Sequence, residues 1–211
     1  MRDHRFYVYV IESPSPQDLL NGSLEGRVLS ESLNVSRIDS SYQLAVDEQT
    51  FEQAIGSNLN SIFWQDNYKR TPILHISAHG NQEGIALTNG AFIPWENFRN
   101  RLSEINSHFN GNLLVSLSAC HGAYASRLSG AFGLTPYFAL VGPTDITDLS
   151  DLAIGYSSFY HVIRKTWDLN QALNALKVSS CNNSFDMVYG TQFDHNYHKA
   201  MNSYFGNQLK F

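Results

Sequence analysis

The 211-residue chain is short of charge, with Asp, Glu, Lys and Arg together making up 16% of it. Basic residues are scarcer than acidic ones: the net charge is −5 with His neutral, and Lys or Arg never occur more than two in a row. Holding nucleic acid by phosphate neutralisation needs a basic surface, so nucleic acid is not expected as a partner. Long apolar runs are missing too, and none approaches the roughly 20 residues of a membrane-spanning helix. The first apolar run, residues 6–11, is too short for the core of a secretory signal, and no small-residue cleavage site follows it. No membrane partner is expected, and a cytoplasmic location is. Two cysteines, Cys120 and Cys181, are too few for a disulfide framework. Reduced thiols in a cytosol are the expected state, with a single bridge left open. Repeats, low-complexity stretches and linkers are lacking as well, so residues 1–211 read as a single domain.

What the chain does have is apolar and aromatic content, 43% and 13%, enough for one well-packed core and too much for a disordered chain. That content alternates between two periods. Aromatic and β-branched residues at 6–11 suit a buried strand. Ser15, Pro16 and Asp18 then offer an N-cap, a first-turn proline and an acidic third position, ahead of Leu20, Leu24, Val28 and Leu33 at near-helical spacing. A weaker strand is expected at 42–46. Asp47 should cap a helix with Phe51, Ala54, Ile55, Leu59, Ile62 and Phe63 inward.

Further strands are expected at 73–77, 113–117, 137–142 and 185–189. Between them stand a hairpin-like stretch at 84–90 with Asn89-Gly90 as its turn, and helices opened by Pro94 and spanning about 151–167 and 170–178. Strands alternating with helices imply an α/β fold: a mostly parallel central sheet with helices on both faces.

In such sheets reactive groups collect beyond the carboxyl ends of strands. His79-Gly80 follows the strand at 73–77, and Cys120-His121-Gly122 follows the strand at 113–117. If those strands are neighbours, His79 and Cys120 emerge side by side. An imidazole beside a thiol can promote its ionisation or protonate a leaving amine. Gly80 permits close backbone approach, so its N–H and that of Cys120 suit an oxyanion hole. A helix opening near Ala123 would point its positive end at a thiolate.

The segments Leu74-His75-Ile76-Ser77-Ala78-His79-Gly80 and Leu114-Val115-Ser116-Leu117-Ser118-Ala119-Cys120-His121-Gly122 resemble those of caspase-like cysteine peptidases: caspases, metacaspases, separase and the bacterial CHAT peptidases. Asp145-Ile146-Thr147-Asp148 is similar to the Asp-rich segment of separase and CHAT domains, and Gln171-Ala172-Leu173-Asn174-Ala175-Leu176 to a late CHAT helix. The resemblance implies a caspase-like three-layer sandwich with Cys120 as nucleophile, His79 as general acid/base and Gly80 as oxyanion donor. Cys-His chemistry of this kind requires no cofactor. The resemblance also implies a protein or peptide substrate, an activating partner protein or small signalling ligand, and a bacterial defence or cell-death setting. Metacaspases carry an acidic residue two positions before the nucleophile; this chain has Ser118 there. Asp148, and behind it Asp145, could supply the substrate-binding carboxylate instead and favour cleavage after Arg. Asp148 is equally suited to capping the next helix.

Other residues read more plainly. His75 suits the core, His121 should point away from Cys120, and Cys181 suits a loop thiol. His195 and His198 could share a helix face but lack a third ligand, so no metal is expected. Segments 81–88 and 145–150, polar and near the presumed cleft, are the expected switches. The rival readings are a catalytically silent caspase-like binding or scaffold module, and a flavodoxin-like ligand-binding domain.

Overall fold

In the computed structural model, which describes residues 3–65, 67, 69–126 and 136–190, the run at 6–11 lies inside strand β1 (Asp3–Ser13). Ser15 then caps helix α1 (Pro16–Asn21) by accepting the Asp18 N–H, and Pro16 fills the first turn, where its missing N–H costs nothing. Gly22 ends α1 in a left-handed conformation (φ 72°), and the chain restarts as α2 (Glu25–Val35). The one helix expected across Leu20 to Leu33 is therefore two. Leu29 and Leu33 are buried, whereas Leu20 is 81% exposed.

Strand β2 (Ile38–Leu44) begins earlier than the run expected at 42–46. Asp47 caps α3 (Glu48–Gln53) in a reciprocal box with Thr50. One wide turn, Ala54–Asn58, carries α3 on into α4 (Leu59–Gln65), and the Tyr9 hydroxyl donates to the Ala54 carbonyl there. Strand β3 (Thr71–Gly80) is followed by the short strands β4 (Gly84–Ala86) and β5 (Phe92–Pro94), then by α5 (Trp95–His108). After β6 (Leu114–Ser118) come a 3-10 turn at Gly122–Ser126 and β7 (Ala139–Pro143). Helices α6 (Leu149–Thr166) and α7 (Leu169–Ser179) lead into β8 (Phe185–Tyr189).

The main sheet runs β2-β1-β3-β6-β7-β8, parallel throughout except for β8, which pairs antiparallel with β7. β4 joins β3 and β5 off that path. Helices cover both faces, as expected: α3, α4 and α5 on one side, α2, α6 and α7 on the other, each with its own apolar core. The three layers form an α/β sandwich. From β1 the chain goes outward to β2 and then crosses to β3 on the other side, so a crevice opens beyond the carboxyl ends of β1 and β3. Among the described residues no helix is long and apolar enough to cross a membrane.

Candidate functional site

Register brings the two strand ends together. β3 and β6 are neighbours, with Ser77 opposite Ser118. Two residues further on, His79 and Cys120 leave the sheet at the same level and, by strand alternation, on the same face. Both line a cavity of about 70 Å³ in the crevice beside β1. Its other walls include Glu12 at the end of β1 and Pro14 just past it, Asp18 from α1, Ser77 from β3, Thr147 just before α6, and Leu149 and Leu152 in its first turn.

A tight turn sets Cys120 at its crest. Gly122 donates its N–H to the Ala119 carbonyl, and His121 between them takes a left-handed conformation (φ 57°), uncommon for a residue with a side chain. A Cβ on Gly122 would sit 2.8 Å from the Leu117 Cβ, so only glycine lets the turn fold back on β6. The Cys120 thiol, half-buried, donates to the Thr147 carbonyl at 3.8 Å. Where a helix is expected near Ala123, the described residues form a 3-10 turn, Gly122–Ser126; residues 127–135 lie outside the described set.

Gly80 packs against this turn. A Cβ there would lie 2.8 Å from the Cys120 carbonyl oxygen. Asn81 donates to the Gly84 carbonyl, which makes 81/84 a hydrogen-bonded pair and Gly80/Ile85 the next, non-hydrogen-bonded one. The Gly80 N–H therefore points away from β4.

His79 is 51% exposed at its side chain, and its Nε2 lies 2.9 Å from Asp18 Oδ2. Asp18 also accepts from the Ser15 hydroxyl, and these two contacts, Ser15's first, hold its carboxyl below the usual range. His75 is wholly buried: its Nδ1 shares a hydrogen bond with the Tyr160 hydroxyl (2.9 Å), and its Nε2 is 3.8 Å from the buried Glu25 carboxylate. His121 turns aside to the Thr144 carbonyl and stacks edge-on with Tyr124.

The expected substrate-binding residues are placed less favourably. Ser118 is 1% exposed, its hydroxyl enclosed and unbonded. Asp148 occupies the N-cap position of α6, yet its side chain makes no capping bond, and it is exposed outside the cavity walls. Asp145 is exposed as well, with Oδ1 accepting the Ile146 N–H. Cys181 is an exposed free thiol at the end of α7, and Cys120 is free too. His195 and His198 lie outside the described residues, and no cluster of metal-ligating side chains occurs within them. Of the expected switches, segment 81–88 is tied down by Asn81 and Thr88, and segment 145–150 touches the thiol through Thr147.

Two cavity residues escaped the sequence reading. Glu12 is 1% exposed and accepts from the Gly26 and Arg27 N–H groups and the Tyr42 hydroxyl. It thereby caps α2, whose own N-cap, Leu24, cannot. Burial pushes its carboxyl above the usual range despite those bonds. A charged residue closing an apolar strand run was the available signal. Asp18 read only as a first-turn helix acid. No protein-family model matches the chain, and no curated protein does.

Proposed function

We propose that this chain is a cysteine endopeptidase working through Cys120 and His79. The observation that carries the reading is their emergence at one level, on one face of adjacent parallel strands, into one cavity at the sheet's crevice. In the reaction the thiol leaves the Thr147 carbonyl and gives its proton to His79. The thiolate attacks the scissile carbonyl, and the Gly80 and Cys120 N–H groups steady the oxyanion. His79 returns the proton to the leaving amine, and water hydrolyses the thioester. Separate resting partners for thiol and imidazole are compatible with this, because such contacts tighten only once substrate is bound.

The cavity is well below the roughly 300–1,000 Å³ of sites that take drug-sized ligands. So small a cavity is compatible with control by an activating partner protein or small signalling ligand.

The main-sheet order, counting parallel strands alone, is 2-1-3-4-5, also the order of flavodoxin-like domains. That keeps a ligand-binding reading in play. The cavity's chemistry opposes a phosphate ligand, since Glu12 and Asp18 bring two carboxylates. A peptidyl chloromethyl ketone series, read by mass spectrometry, tests the proposal. Adduct on Cys120, absent from Cys181 and lost in His79→Ala, supports it. Failure of the whole series to label Cys120, even with cell lysate added to supply an activator, refutes it.

A further inference from the structure

The cavity walls hold one polar contact that neither packing nor helix capping explains, between α1 and His79. Helix α1 buries none of its side chains, so Asp18 is not there to fill a core. Its place is fixed locally. The Ser15 hydroxyl accepts the Asp18 N–H and donates to Oδ2, Pro16 presets the first turn, and Gly22 closes the last. The short motif Ser-Pro-Gln-Asp thus holds a carboxylate at a set point with little help from the rest of the fold. That point is 2.9 Å from Nε2 of His79, sixty-one residues along the chain.

We infer that Asp18 is the positioning residue for His79; this rests on the peptidase reading above. An ionised carboxylate can only accept, and the Ser15 hydroxyl and His79 favour the ionised form of Asp18. The ring nitrogen facing it therefore carries the proton. With Nε2–H committed to Asp18, the neutral imidazole has its lone pair on Nδ1, the nitrogen left to take the thiol proton. The S–H bond breaks, an Nδ1–H bond forms, and the resulting imidazolium keeps its Nε2–H on a carboxylate of opposite charge. The same Nδ1 proton later goes to the leaving amine. Without Asp18 the ring divides between two tautomers, only one of which can act as the base.

A surface pair of this kind contributes little to stability, so its loss should not unfold the chain. That separates a positioning role from a structural one. The ring is read first in protein carrying Cys120→Ala, where no peptidase activity enters. With ¹⁵N-labelled histidine, the neutral His79 ring should be chiefly protonated on Nε2. Adding Asp18→Asn, whose amide can donate to Nε2, should shift the population towards Nδ1–H. An unchanged tautomer ratio overturns the inference, whatever the protein cleaves.

In protein with Cys120 intact, Asp18→Asn should lower kcat about 10- to 100-fold with KM little changed. It should also move the pH profile of Cys120 alkylation by iodoacetamide to higher pH, and Asp18→Glu should recover part of both. A tautomer shift in a protein that never cuts any peptide would leave Asp18's hold on the ring standing and sink the peptidase reading alone. Activity that rises in Asp18→Asn would overturn the inference, marking the contact as a latch that holds α1 shut.

Discussion

Leu74, Ile76, Val115 and Leu117 face α3, α4 and α5 from the same two strands that turn His75, Ser77, Ser116 and Ser118 towards α2 and α6. The first side is hydrocarbon from end to end. The second changes along the strands. At the amino end it is apolar, with Phe6, Val8, Ile73 and Leu114. Next comes a buried row in which Val10, His75 and Ser116 stand in register, and then Glu12, Ser77 and Ser118. His79 and Cys120 follow at the rim. Strand alternation alone delivers this arrangement, because residues two apart share a face. One face is built for cohesion, and the other gives up some of it to bring polar groups to the crevice.

The largest test of that division is functional. Cys120→Ala and His79→Ala should each abolish peptide hydrolysis while the thermal midpoint stays within a few degrees of the parent, because both lie at the rim. Cys181→Ala, outside the cavity walls, should retain most activity. Full turnover by purified Cys120→Ala would remove the polar face's proposed purpose.

Adjacent residues of β6 sharpen the contrast in stability. Leu117 is fully buried on the hydrocarbon face, and Leu117→Ala should cost about 2–5 kcal/mol by urea unfolding, from lost transfer energy and the cavity left behind. Ser118 points the other way, with an enclosed hydroxyl that makes no hydrogen bond. Deleting an unbonded buried hydroxyl removes a desolvation cost, so Ser118→Ala should be neutral or stabilising by up to about 1 kcal/mol. Equal losses from the two changes would show that the faces do not differ in this way.

This difference was partly legible beforehand. Short apolar runs at 73–77 and 113–117 put His79 and Cys120 just past strand ends, and Gly80 beside His79 announced close backbone approach. The break between α1 and α2 was not legible, because leucines at helical spacing run straight through Gly22 and one left-handed residue outweighs them. Glu12 was marked by its charge at the close of an apolar run, but its role was not legible. Its task depends on where the start of α2 lands, fourteen residues later, and no local pattern encodes that. Asp18 was half legible: its cap is local, but its contact with His79 exists only once β3 is in place.

Glu12 allows a pH test of the buried polar row. Its carboxyl lies higher in the folded chain than in the unfolded one, chiefly through burial. Between those two values the folded chain binds more proton, so this group's contribution to stability falls as pH rises through the window that opens near 4.5. Glu12→Gln does not titrate. Its amide also replaces one acceptor facing the Gly26 and Arg27 N–H groups, so it should be less stable than the parent. That deficit should be greatest at low pH and shrink as pH climbs past the window. Urea titrations of both proteins from pH 4 to 8 measure it. A deficit that grows with pH would mean that the hydrogen bonds, and not burial, govern this carboxylate.

The smallest effect is expected at the cavity's outer margin. A carboxylate that selects Arg over Lys does so by bidentate pairing in a desolvated pocket. Asp148 is free of capping duty, as that role would require, but it is exposed, as that role would not. Its attraction for a basic side chain is then screened by water and salt, and is of order 0–1 kcal/mol. In a substrate library scan, a preference for a basic residue before the scissile bond should be modest, similar for Arg and Lys, and weaker still at high salt. Asp148→Asn should change it less than about five-fold. A strong Arg preference abolished by that change would show that Asp148 becomes enclosed when substrate binds. One that survives it would point to the carboxylates already in the walls, Glu12 and Asp18, and so extend the polar face's work from holding the imidazole to choosing the substrate.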